Sequence, residues 1–198
     1  MTPSLYLTRF ESPLPGPWQA AQIARLTPAE RARLARIDRP RRREQFVVGH
    51  CMLRWGLAAA GLKGATIEVD AMGRVLLHAA APLYASIAHS DNLVVVVIAG
   101  DLVGVDLESM RPTRDPRAAA ELLGLPADQA GDARVVLRAW IIAEARLKAG
   151  PQARDRMWLS IWEGCQLAVA GTPKPPLTGV FDGMTGIYNA TELPWEAV

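Results

Sequence analysis

The sequence has little cysteine, no long apolar run and almost no charge imbalance, and each shortage removes a class of protein. Its 198 residues hold two cysteines, Cys51 and Cys165. Both sit among apolar neighbours and neither belongs to a paired C-x-x-C spacing, so a disulfide framework or cysteine metal site is not expected. No stretch reaches the length of about 18 apolar residues that a membrane-spanning helix needs. The opening MTPSLYLTRFESPLPG lacks the basic start and apolar centre of a secretory signal, so a cytoplasmic protein is expected, away from membranes. Lysine and arginine number 22 against 20 acidic residues, a net charge of +2. That balance argues against a polybasic binder of long nucleic acid. Low-complexity tracts and repeats are also missing. What is there is a chain 50% hydrophobic, enough for the core of one large domain or two small subdomains.

Arginine is unevenly placed. Between Arg31 and Arg54 lie Arg33, Arg36, Arg39, Arg41, Arg42 and Arg43. A guanidinium donates two parallel hydrogen bonds, which suits phosphate, although a solvated helix face has the same composition.

Ser4 to Phe10 reads as a strand, and Pro13, Pro15 and Pro17 then predict a loop. Thr27-Pro28-Ala29-Glu30 combines a capping residue, a proline at the first helical position and a glutamate three after the cap, announcing a helix to about Ile37. A longer helix is expected from about Pro40 to Ala60, with Gly61 to stop it. From residue 66 the pattern changes to strands: TIEVD, a turn at Met72-Gly73, GRVLLH, YASIAH, NLVVVVIAG and LVGVDLE. The last two are expected to pair as a hairpin through Ala99-Gly100-Asp101. Beyond Pro112 and Pro116, helices are expected at Arg117 to Leu123 and Asp132 to Ala149, then a hairpin from MWLSIWE and CQLAVAG. Residues 171–198 are expected to form an extended arm.

Two segments carry candidate chemistry. In VGVDLES, Asp106 and Glu108 are two apart, so on a strand they share one face while Val105 and Leu107 take the other. Paired carboxylates are relieved by solvent, by an arginine partner or by a hard divalent cation. In WIIAEARLKAG, Glu144 and Lys148 are four apart and share a helix face, which is the spacing of a site and equally of an ordinary surface ion pair.

Four segments in order, GRV, AHS, GVDLE and WIIAEARLK, resemble those of Sfp-like phosphopantetheinyl transferases, which carry G-K-P, S-H-S, G-[IV]-D-[IL]-E and W-x-x-K-E-[AS]-x-x-K. Upstream, TPAERARLARI and FVVGHCMLR resemble the family's basic helix pair, so the likeness spans roughly residues 25 to 150. The chain departs from the family's pattern at Val75, Ala88 and Ala143. It departs again at Glu30, where a lysine is common, and at His50, where many members have arginine.

The resemblance implies an α/β (α+β) fold of two similar subdomains, 1–100 and 101–198, each a small antiparallel sheet packed with a long helix, with the site between them. It implies transfer of 4′-phosphopantetheine from coenzyme A to a serine of an apo acyl or peptidyl carrier protein. By the same resemblance Asp106, Glu108 and Glu144 would hold Mg2+, with Glu144 and Lys148 catalytic. Arg33, Arg74 and His89 would contact the coenzyme's 3′-phosphate and neighbouring groups, while Arg54 is left outside the site. Glu144 is one candidate for the base that takes the serine proton, directly or through water, and the sequence leaves that choice open. Both halves lie in one chain, so a monomer suffices. Two other readings use the same residues: a coenzyme A or carrier-binding relative without turnover, and a metal-dependent hydrolase of nucleotide diphosphates.

Overall fold

A computed structural model of the protein describes residues 1–70, 74–111, 115–181 and 188–198. The expected turn at Met72-Gly73 and the Pro112 stretch lie outside the described residues. The first strand, β1 (Ser4–Arg9), stands as expected, but the proline-rich stretch after it is not all loop, because Gly16–Ala24 forms a helix, α1. Pro17 falls in its first turn, where a missing N–H breaks no helical bond and the fixed φ is already helical. Trp18 and Ile23 then pack toward Leu26, Leu34 and Val47.

Helix α2 (Pro28–Ala35) begins with the capping box read from the sequence: Thr27 Oγ1 accepts the Glu30 N–H at 3.2 Å, and the Glu30 carboxylate accepts the Thr27 N–H at 2.6 Å. Helix α3 (Pro40–Ala59) follows, and Gly61 ends it at φ +75°, a left-handed conformation that glycine adopts without penalty. Strands β2 (Thr66–Val69) and β3 (Val75–His78) make a separate two-stranded ribbon.

Strands β4 (Tyr84–Ser90) and β5 (Leu93–Ala99) form a hairpin across Asp91-Asn92, with Asp91 at φ +51°. This overturns the expected hairpin between β5 and β6 (Gly104–Ser109). One edge of β5 is filled by β4 and the other by β1, both antiparallel, so no edge remains for β6. Instead β6 pairs with β8 (Cys165–Gly171) in a second sheet. Between them in sequence lie α4 (Pro116–Leu122), α5 (Ala133–Ala149) and β7 (Arg154–Trp162), and β7 pairs with β8 as expected. The described residues after 171 supply β9 (Leu177–Phe181), β10 (Tyr188–Thr191) and β11 (Glu196–Ala197).

The two larger sheets have the orders β10-β9-β1-β5-β4 and β11-β7-β8-β6. The first is not purely antiparallel, since β9 runs parallel to β1. Alternate residues of each strand serve opposite faces. Leu5, Leu7, Val95 and Val97 of the first sheet meet Val105, Leu107, Leu167 and Val169 of the second. On its other face the first sheet places Val94, Val96 and Ile98 against Met52, Leu53 and Leu57 of α3. The second sheet places Met157, Leu159, Ala168 and Ala170 against Ile141, Ala145 and Ala149 of α5. Each fully buried Leu or Ile contributes about 1.5–3 kcal/mol through removal from water. The protein is therefore a mixed α/β fold layered helix, sheet, sheet, helix. The expected boundary at residue 100 falls between β5 and β6, and β9 and β10 return from the later part of the chain to the first sheet. No helix among the described residues is long and apolar enough to cross a membrane.

Candidate active site

The facing edges of the two sheets meet where β4 lies beside β6. Side-chain hydroxyls join them: Ser86 Oγ accepts the Val105 N–H at 3.2 Å, and Ser90 Oγ accepts the Ser109 N–H at 3.0 Å while donating to Glu108 at 3.1 Å. The alternation expected of β6 holds. Val105 and Leu107 enter the core between the sheets, whereas Asp106 belongs to the face covered by α5.

Helix α5 lies against β6 because Gly104 has no side chain. A Cβ there would meet the Ala145 carbonyl oxygen at 2.0 Å and the Ala149 nitrogen at 2.5 Å. Helix and strand run in opposite directions, with Lys148 beside Asp106 and Trp140 sharing a small pocket with Glu108. Glu144, half-buried, occupies the turn between Lys148 and Trp140. Asp106 is only 7% exposed. Lys148 Nζ donates to Asp106 Oδ1 at 2.6 Å and to the Val105 carbonyl at 3.2 Å, while Asp106 Oδ2 is buried without a hydrogen-bond partner among the described residues.

The donor chemistry of Asp106, Glu108 and Glu144 fits a hard cation, because all three offer carboxylate oxygen and one buried oxygen has no donor. Their arrangement is not a ready-made cage. Among the described residues no three His, Cys, Asp or Glu side chains are gathered closely enough to hold a metal ion.

Beside this seam is a cleft of about 740 Å³, within the usual range for small-molecule sites. Arg33 from α2, Arg74 from the segment before β3, His89 from β4 and Lys148 from α5 all line it. The three residues expected to contact the coenzyme are thus together, and no described Asp or Glu lines the same cleft. The guanidinium of Arg74 bonds Asp70 at 2.7 Å, so part of its charge is already engaged.

The cleft also contains Arg42, Phe46 and His50, which the sequence reading did not assign to the site. They are four apart on α3 and so form one stripe, a spacing that could have revealed them. The Phe46 and His50 rings stack at a centroid distance of 4.1 Å. Behind them, Glu30 is completely buried and accepts from His50 Nδ1 at 2.6 Å and from Arg54. Burial alone would raise the Glu30 carboxyl, but hydrogen bonds from His50, Arg54 and the Thr27 backbone outweigh it and hold its pKa at about 2. The departures at Glu30 and His50 therefore belong together: a buried carboxylate is matched by an imidazole and by Arg54.

Burial, with the charges of Arg42 and Lys148 added, pushes the pKa of His89 down from 6.5 to about 3. The unfolded chain then takes up a proton that the folded one refuses. This contribution to stability is complete above pH 6.5 and is lost as the pH falls toward 3. Urea unfolding at pH 7 and pH 5 should show His89→Gln losing less stability on acidification than the parent protein. Equal losses would contradict the assignment.

No protein-family model matches this chain, and no curated protein matches it.

Proposed function

We propose that the protein transfers 4′-phosphopantetheine from coenzyme A to a serine of an apo acyl or peptidyl carrier protein, releasing 3′,5′-adenosine diphosphate, as a magnesium-dependent, cytoplasmic, monomeric enzyme of the Sfp-like kind. The two sheet-and-helix layers are read as that family's two halves. The observation that carries this reading is the cleft that gathers Arg33, Arg74, His89 and Lys148 from separate elements, without a described carboxylate, beside the buried Asp106. Four positions singled out by short motifs far apart in sequence converge on one anion-attracting surface.

The chemistry is displacement at phosphorus. The serine oxygen bonds to the phosphorus that bears the pantetheine arm, the bridging P–O bond breaks, and its electron pair leaves on the nucleotide. Arg33, Arg42 and Arg74 hold the nucleotide phosphates through paired hydrogen bonds, and neutral His89 offers a further donor. Glu144, half-buried one turn before Lys148, is one candidate for the group that takes the serine proton, directly or through water. Asp106, Glu108 and Glu144 are the residues that would hold a magnesium ion, which would supply neutralisation of the charge that develops on the phosphates.

The experiment is incubation with coenzyme A, magnesium and a panel of apo acyl and peptidyl carrier proteins, followed by intact-mass spectrometry. One carrier should gain the mass of a single phosphopantetheine group. No gain on any carrier would remove the reading. The ungathered carboxylates favour one second reading, a coenzyme A binder without turnover, which predicts calorimetric binding and no transfer.

A further inference from the structure

We infer that Lys148 is a built-in counter-ion that holds the Asp106 carboxylate until an anion in the cleft draws it away, so that the diphosphate ligand and the divalent cation each favour entry of the other. This rests on the coenzyme A reading and specifies how that site is loaded.

Asp106 is buried, and a buried carboxylate requires a nearby positive charge. Lys148 supplies it at 2.6 Å, with the Val105 carbonyl at 3.2 Å fixing the same ammonium. A divalent cation arriving alone must approach that carboxylate against a like charge already in place, and it finds only Oδ2 without a partner. The same lysine lines the cleft shared by Arg33, Arg42 and Arg74, and among the described residues only Asp70, outside the lining, bonds one of these arginines. A diphosphate there attracts the ammonium, and the flexible four-carbon stem lets it swing toward a phosphate oxygen.

Once Lys148 turns to the phosphate, Asp106 is a buried anion without its counter-ion, with Glu108 two residues along the strand and Glu144 one turn along the helix. That is the state in which a divalent cation is bound. Each ligand then raises the affinity of the other by the same factor.

The test uses Mn2+ as the probe and electron paramagnetic resonance to count the free ion, with and without saturating coenzyme A. Cation held by coenzyme A alone is subtracted. The parent chain should bind Mn2+ about tenfold more tightly when coenzyme A is present, within the usual range of coupling between sites. Lys148→Met, which keeps the length and removes the charge, should bind Mn2+ tightly without coenzyme A and should lose most of the coupling. Lys148→Gln provides a second variant, and a thermal melt of each establishes folding. Parent protein that binds Mn2+ equally well with and without coenzyme A would overturn the inference, as would variants that keep the parent's coupling. If the parent binds neither ligand, the coenzyme A reading itself falls.

Discussion

Replacing Glu30 by alanine is expected to remove about 3–5 kcal/mol of folding stability, the usual effect of deleting one partner from a buried ion pair. Three groups lose their acceptor at once: the Thr27 N–H, the His50 imidazole and the Arg54 guanidinium. Domains are stable by only about 5–15 kcal/mol, so the variant should be close to unfolding at room temperature. Glu30→Gln keeps the shape and one acceptor, so its loss should be smaller. Denaturant unfolding followed by tryptophan fluorescence measures both, and an alanine loss below about 1 kcal/mol would contradict the network described for this site. The pH dependence has a definite sign. A carboxyl lowered from 4.5 to about 2 contributes stability that is complete above pH 4.5 and is lost as the pH falls through 2. This window overlaps that of His89 below pH 4.5, so between pH 6.5 and 4.5 the loss belongs to His89 and below about 3 to Glu30.

Gly104→Ala is the second change with a large expected effect. The new methyl would sit 2.0 Å from the Ala145 oxygen and 2.5 Å from the Ala149 nitrogen, and both are backbone atoms that no rotamer change can move aside. Helix α5 must shift as a body, at a cost of about 1–3 kcal/mol and sometimes more. Lys148 moves with it, away from Asp106. Because displacement of a reacting group by about 1 Å can reduce rate on the order of 100-fold, the proposed phosphopantetheine transfer should fall by that order. Gly64→Ala is the control: nothing lies within 4 Å of a Cβ at Gly64, and its stability should stay within about 0.5 kcal/mol of the parent. Similar behaviour of the two variants would mean that the contact between α5 and β6 is not what positions Lys148.

The local grammar of the sequence was readable where one residue decides a conformation. Thr27 and Glu30 announced the start of α2, Pro40 and Gly61 bracketed α3, and the alternation from Val105 to Glu108 placed the carboxylates opposite the core. Strand partnership was not readable. Leu93–Ala99 is buried along its whole length, so its composition carries no sign of which neighbour takes which edge, and β6 pairs with β8 and not with β5. Helix α1 is hidden by its prolines, which break a helix in its interior but not in a first turn, where Pro17 stands. At the candidate site the individual residues were legible and their relations were not. Arg33, Arg74 and His89 came from separate motifs, whereas Arg42 reaches the cleft only because α3 turns that stripe inward. Glu30, His50 and Arg54 are scattered in sequence, and only their contact shows that they compensate one another. The bond from Lys148 to Asp106 depends on how α5 lies on β6, which no local pattern records.

The placement of β1 between β5 and β9 sets a timetable for synthesis. Ser4 pairs with Ile98 on one side and with Leu177 on the other. Roughly 80 residues separate those two partners, so at about 5–20 residues per second the nascent first sheet keeps one edge of β1 open for roughly 4–16 s on the ribosome. An open strand edge is a template for pairing with other chains. Slowing translation between β5 and β9 therefore lengthens the exposure of the earliest part of the chain.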